Sequence, residues 1–357
     1  MSMRLMQLCA TLLLLALAPC ALGEEAEIAI TVPDAYAQDG TLAVYSLSRR
    51  DFADVVQPEW FNAGRVVGKK NLSKRGRVDC YTFEDEDELT VSGEEDGYVY
   101  YVAQEGAKQT VYDGATDWIP ARERSVNMEQ LALDVYWGYM ENPNGGETVR
   151  EALAFVTLAQ AQERVEALLD SLGVVGYACV WALDVDAQTA LALNTQRNER
   201  IETGRLYTTE LYDFAGLTER DEGYAIVYRA RVDGVETCEY YMQLTAFVSG
   251  DGLRSFSLSA PYSLGNVIKT PDALLTAQEA ASFLPASAKK SRLPDVANKL
   301  QNVTQAELIY ALNPKAKGER LQLLPAWKLY FDVTGWSEKA VAYVSAVDGD
   351  VLDAPWM

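Results

Sequence analysis

Two stretches of this chain follow the same order of apolar patterns, steps of three and four residues first and alternation second. In the earlier stretch, Ala154, Leu158, Ala161, Val165, Leu168 and Leu172 fall on one side of a helical wheel, the stripe a helix buries against a core. Gly173 follows as its stop, since glycine enters the left-handed region at no steric cost. Thr148 and Glu151 lie at the front of this stripe and fit a capping box, in which threonine oxygen and glutamate carboxylate satisfy amide donors that have no partner inside the helix. Thr276 and Glu279 repeat the box before a shorter apolar face of Ala280, Ala281, Phe283 and Leu284. Pro285 is expected to end that second helix, because its ring clashes with the carbonyl one turn back.

Alternation takes over beyond each helix. Residues 177–185, 224–232 and 240–248 after the first, and 303–312, 327–333 and 340–347 after the second, are rich in valine, tyrosine and leucine, which suit a pleated, half-buried surface. Each set closes on a glycine turn, Gly250-Asp251-Gly252 or Asp348-Gly349-Asp350, with a short last strand over 253–258 or 351–353. The period of two sends Tyr224, Ile226, Tyr228, Ala230 and Val232 toward the helix and leaves Arg229 and Arg231 outward. In the second set Trp327, Leu329 and Phe331 point inward, with Lys328 and Tyr330 outward. The chain therefore reads as α+β, with one unit of helix on antiparallel sheet present twice.

Residues 344–352 of the second copy read Val-Ser-Ala-Val-Asp-Gly-Asp-Val-Leu. With helix-then-strands order, this ending resembles the PepSY superfamily, especially tandem extracytoplasmic regulators related to it, including membrane-side modulators of sensor kinases. That family's last strand typically reads Val-Asp-Ala-x-Thr-Gly-x-Val; Val344, Ala346, Gly349 and Val351 match, while Ser345 and Asp348 depart. The resemblance spans roughly 148–352. It implies a non-enzymatic binding or regulatory protein of the bacterial cell envelope, engaging a protein or peptide partner such as a protease or a sensor-kinase ectodomain.

Before the two units the pattern is less regular. Strands are expected over 26–32, 41–47, 78–83, 88–91 and 98–102, punctuated by Asp-Gly and Ser-Gly, and a helix over 126–140. Asn142-Pro143-Asn144-Gly145-Gly146 reads as a linker. The expected organisation is a signal peptide over 1–23, a β-rich N-terminal domain over 24–145, and PepSY-like units over 146–270 and 271–357. Arg4 before the apolar run 8–17, with Ala21-Leu22-Gly23 behind it, carries the signal expectation. Leu17-Ala18-Pro19-Cys20 is also close to the bacterial lipoprotein pattern, so cleavage before Glu24 and a lipid anchor at Cys20 both stand, each placing the protein outside the cytoplasm. No other stretch reaches the roughly 18 apolar residues a membrane span needs.

Charge narrows the partners. A net charge of −21, from 31 basic and 52 acidic residues, repels nucleic-acid phosphates and anionic lipid. The run 84–88, Glu-Asp-Glu-Asp-Glu, lacks the alternating ligands and glycine of a calcium loop and reads as a solvated turn. Cys80, Cys179 and Cys238 remain once Cys9 and Cys20 are set aside with the leader. They read as buried thiols, with a Cys179–Cys238 disulfide as the alternative, and no Cys-x-x-Cys pair is present to hold zinc.

The chain has no histidine. Every triad, dyad or zinc motif that needs an imidazole is thereby excluded. Ser287-Ala288-Lys289-Lys290 matches Ser-x-x-Lys without its partner motifs, and no glycine-rich phosphate loop appears, so no catalytic residue, cofactor or metal is assigned. A carboxylate-only glycan hydrolase remains as an alternative function, since two nearby acids suffice for it. Asp184 and Asp186 have the spacing to share a strand face, yet read as a strand-end turn. A purely structural surface module is a third reading. The candidate binding residues are Arg229, Arg231, Lys328 and Tyr330, basic or aromatic positions at matching places in the two units of an acidic chain.

Overall fold

The computed structural model describes residues 42–355 apart from 74–76, 94–96, 104–109, 113–117, 121–127, 134, 137–148, 205–211, 213, 215–216, 239–241, 261, 292, 314–320 and 337–338. The leader, Cys20, the strand expected over 26–32 and the linker at 142–146 lie outside the described residues. In chain order the strands are β1 (Val44–Arg49), β2 (Val66–Asn71), β3 (Val78–Phe83), β4 (Glu88–Ser92), β5 (Tyr98–Val102), β6 (Thr110–Tyr112), β7 (Trp118–Pro120), β8 (Tyr177–Val185), β9 (Gly223–Val232), β10 (Val235–Glu236), β11 (Gln243–Ser249), β12 (Gly252–Ser259), β13 (Tyr262–Lys269), β14 (Leu300–Leu312), β15 (Gln322–Val333), β16 (Ala340–Ser345) and β17 (Val351–Asp353). The helices are α1 (Leu158–Ser171), α2 (Ala187–Glu202), α3 (Ala277–Ala281) and α4 (Leu284–Lys289). Residues 128–133, 135 and 136 are also helical, within the helix expected over 126–140. The class is α+β with antiparallel sheets, as the alternation predicts.

Two compact units divide the chain, one holding Gly40–Leu274 with Leu308–Ala326, the other Leu275–Glu307 with Trp327–Met357. The larger unit is built on a nine-stranded sheet ordered β10-β9-β11-β12-β5-β4-β3-β2, with β8 also paired to β9. Pairing of β12 with β5, from Ser255 opposite Val102 to Ser259 opposite Tyr98, joins the early strands to the later ones in one ladder. One face carries α1: Ala161, Val165 and Leu168 share a core with Tyr224, Ile226 and Tyr228 of β9, Leu244 and Ala246 of β11, and Phe256 of β12. The inward set on β9 is thus the one that alternation predicts as far as Tyr228. Ala230 and Val232 instead join Leu47, Met242, Tyr310 and Leu323 in a separate cluster. The opposite sheet face is covered as well, Leu183, Val185, Ala225 and Phe247 packing with Met128, Leu131, Ala132 and Ala190.

The helix α1 starts nine residues later than Thr148 implies. Thr157, in extended backbone, accepts from the Gln160 amide at 3.2 Å, and its own amide donates to Gln160 Oε1 at 2.9 Å. This second box wins because the segment before it is held elsewhere: the Arg150 amide donates to Asp184 Oδ1 at 3.1 Å, and Ala152 bridges Thr157. Gly173 ends the helix at φ 64°.

In the smaller unit the predicted capping box is the one that forms. Thr276 accepts from the Glu279 amide at 3.2 Å and donates its own to Glu279 Oε2 at 2.7 Å. Its helix α3 ends at Ala281, capped by Ser282, and Pro285 then sits in the first turn of α4 instead of terminating α3, a place where the missing amide costs nothing. Helix α3 lies on β16, the Leu275 amide donates to Ala346 O at 2.7 Å, and Trp327 Nε1 donates to Leu275 O at 2.8 Å.

Both halves pair their strands in one order: β8-β9-β11-β12 in the first, β14-β15-β16-β17 in the second. A further detail recurs. A β-carbon on Gly250, in the turn before β12, would collide with Phe155, and one on Gly349, in the turn before β17, would enter the ring of Phe283.

Candidate functional site

Arg229, Lys328 and Tyr330 are not on a solvent face. Their relative exposures are 6%, 2% and 4%, and only Arg231 of the four expected binding residues is exposed. Alternation defines two faces of a strand but not what covers each of them. Over Arg229 lies Tyr136, whose hydroxyl takes a very short hydrogen bond from Nη2 and whose ring sits 5.6 Å from the guanidinium carbon. In β15 the run Leu323–Phe331 is buried without a break; within it the Lys328 ammonium stands 5.0 Å from the Tyr330 ring centroid, a cation–π arrangement that two same-face residues of a strand permit.

The side chains of β9 nearest its end form a charged cluster. Glu236, on β10, accepts from Arg229 Nη1 at 3.3 Å and from Arg231 Nη2 at 3.0 Å. It reaches both because Asp233 and Gly234 turn the chain back at φ 52° and 79°, both left-handed as a two-residue hairpin of this hand requires. Asp233 then accepts from the hydroxyls of Tyr45 at 2.7 Å and Tyr310 at 2.9 Å. Its carboxylate pushes the Tyr45 phenol up to about 12, and burial with Asp233 beside it raises Tyr310 also. Both phenols therefore stay protonated donors near neutral pH, so the cluster fixes the hairpin and offers no phenolate nucleophile.

Asp184 and Asp186 are held by one arginine. Arg150 Nε reaches Asp184 Oδ2 at 2.5 Å and Nη2 reaches Asp186 Oδ2 at 2.8 Å. Asp186 is also the N-cap of α2, accepting from the Thr189 amide at 2.6 Å; these contacts outweigh its partial burial and hold its carboxyl below the usual range. The acidic run 84–88 makes the β3–β4 turn, with Glu86 at φ 72°. It is less solvated than its composition implies, since Asp87 is 5% exposed and accepts from Asn62 Nδ2 at 2.6 Å and from the Tyr101 hydroxyl.

Among the described residues, Glu129 is the carboxyl that burial pushes upward. It is 5% exposed, its Oε1 has no hydrogen-bond partner, and the nearby Ser255 and Thr245 hydroxyls act against the burial. Asp186, Asp79 and Glu279 all move the other way. Cys80 and Cys179 are free thiols, and burial raises Cys179. No group of three or more potential metal ligands gathers among the described residues, and no described helix is long and apolar enough to cross a membrane.

Sequence reasoning missed Tyr136, Glu236 and Glu129. Asp233-Gly234 was the available signal for Glu236, since Asp-Gly between apolar runs marks a tight hairpin. It also missed β2, which pairs with β3 at the end of the nine-stranded order. On β2, Val66 and Val67 are 38% and 55% exposed.

No family model matches the chain, and no curated protein matches it. Among solved structures it is similar to the crystal structure of an uncharacterized protein from Eubacterium rectale, at 11% identity and a TM-score of 0.50, over 88% of this chain and 86% of that one. It is also similar to the C-terminal domain of Bacillus megaterium YpeB, at 9% identity and a TM-score of 0.31, over 81% of this chain and 87% of that one.

Proposed function

We propose that this chain is a non-enzymatic, PepSY-like binding or regulatory protein of the bacterial cell envelope, engaging a protein or peptide through its sheet edges. The observation that carries this is the open strand β2, exposed along its length apart from the half-buried Gly68; an unpaired strand edge is a template for an added chain. Support for the extracytoplasmic setting comes from the apolar run behind Arg4 and the small residues at 21–23. Support for binding over catalysis comes from the charged groups themselves: Arg150, Arg229, Asp184, Asp186 and Asp233 are engaged with one another or with backbone and tyrosine partners. Glu129 is buried on the helical segment whose Met128, Leu131 and Ala132 pack against a sheet.

A photoreactive side chain in place of Val67, and separately of Leu264 on β13, tests the reading in intact cells. A discrete cross-linked envelope protein at either position supports it. Absence of a cross-linked species at both positions overturns it, and hydrolysis of cell-wall glycan by the purified chain overturns it in favour of an enzyme.

A further inference from the structure

The strand β2 and the residues around it in sequence differ in charge from the rest of the molecule. Residues 64–77 carry Arg65, Lys69, Lys70, Lys74, Arg75 and Arg77 and no acidic residue, in a chain of net charge −21. Resting on the binding reading above, we propose that the β2 edge is the docking strand for an extended acidic segment of a partner protein.

Three observations converge. First, the ladder from Gly68 opposite Thr82 to Asn71 opposite Asp79 occupies one edge of β2, and no described strand pairs with the other edge. A peptide laid there would extend the sheet through backbone hydrogen bonds. Second, side chains alternate from Gly68 onward, Lys69 and Asn71 to one side and Gly68 and Lys70 to the other, after a register shift between Val66 and Gly68. Each side thus offers a cation, with Val67 and Leu72 more than half exposed near either end of the run.

Third, the local carboxylates do not balance the cations. Asp79 accepts from Lys69 at 3.1 Å and from Arg77 at 3.3 Å, Asp54 pairs with Arg77, and Glu84 pairs with Arg65 at 3.7 Å. Among the described residues, the four cations of this stretch, Arg65, Lys69, Lys70 and Arg77, therefore meet three carboxylates. Lys69 and Arg77 are about half exposed in these pairs, and exposed pairs of this kind are weak enough to be exchanged for a partner's acids.

The same features reject other occupants. A second copy of β2 laid antiparallel would set lysines against lysines, the arrangement by which edge strands avoid self-association. An anionic bilayer would have to approach the strongly acidic remainder of the chain, whereas a single extended peptide need not.

Fluorescence anisotropy of the full chain with a labelled octapeptide of alternating glutamate and valine tests this, with alternating lysine and valine as the control. The acidic peptide is expected to bind and the basic one not, and the paired variant Lys69→Glu with Lys70→Glu to weaken binding about tenfold or more. Raising salt to about 0.5 M is expected to weaken it as well. Unchanged binding to the variant, or no binding to the parent, overturns the proposal, as does sedimentation with phosphatidylglycerol vesicles in place of peptide binding. A partner cross-linked from β13 while Val67 stays silent would overturn this inference and leave the binding reading standing; silence at both positions would remove both.

Discussion

The two helix-and-sheet halves share a strand order but not a surround. In the first half, 37 residues separate β8 from β9, including the whole of α2, whereas β14 and β15 are joined by a short connection. The first half also continues past β12 into β5, β4, β3 and β2, while β17 ends its sheet. Its capping box lies at Thr157, directly before a fourteen-residue helix; the second half divides its helical segment into α3 and α4. Strand order and the phenylalanine-glycine contact at the last turn are therefore what the two halves share, and the number of helices and neighbouring strands is what differs.

Core truncation breaks the comparison hardest. Phe256→Ala in the first half and Phe331→Ala in the second, each about 1% exposed or less, are expected to cost about 3–5 kcal/mol each, read as lowered midpoints in chemical denaturation. Comparable losses fit two cores of equal standing; a loss confined to Phe256 would mean the second half adds little stability of its own.

Next in size is the charged cluster. Arg229→Ala leaves Glu236 and Tyr136 without their buried partner and should cost about 3 kcal/mol or more. Arg231→Ala, whose side chain is 43% exposed, should cost less than about 1 kcal/mol. Equal effects would contradict the burial that separates them.

Smaller effects come from the turns and caps. Gly349→Ala places a methyl at φ 78° and against Phe283, and about 1–3 kcal/mol is expected. Thr157→Ala and Thr276→Ala should each lose about 1 kcal/mol, whereas Glu151→Ala, outside the box that forms, should stay within about 0.5 kcal/mol. Thermal unfolding of the three variants distinguishes the boxes.

The last prediction concerns pH. Burial keeps a proton on Glu129 to a higher pH when folded than when unfolded, so its contribution is complete in acid and is lost as pH rises through the folded pKa. Glu129→Gln cannot ionise. Its stability relative to the parent should therefore grow as pH climbs above the ordinary carboxylate range, and a gap that stays constant with pH would show that the carboxyl is not desolvated.

Strands bounded by clear turns were legible to the residue: 78–83, 98–102, 177–185 and 351–353 are the observed β3, β5, β8 and β17. Each begins within two residues of a glycine or aspartate, at Gly76, Gly97, Gly176 and Asp350, so local preference and tertiary demand agree. Helix α2 was not legible because Asp184 and Asp186 look like a strand-end turn, and the turn they make is also a helix start. Strand β2 escaped because Val-Val-Gly-Lys-Lys-Asn has no clean alternation, which is characteristic of an edge exposed on both sides. The candidate residues were misplaced for a different reason. What buries Arg229 is Tyr136, 93 residues upstream, and no periodicity within a strand carries information about an element so remote.

Discontinuity of the larger unit has a temporal consequence. Its Tyr310 donates to Ala43 O at 3.0 Å and accepts the Cys238 amide at 2.7 Å, and Leu321 O accepts the Leu47 amide at 2.9 Å. Those bonds wait for a segment that emerges from the ribosome after α3 and α4. Until then the nascent chain holds β1 and the β9–β10 tip without their closing partner, so folding of the first-made unit finishes only when synthesis is nearly complete.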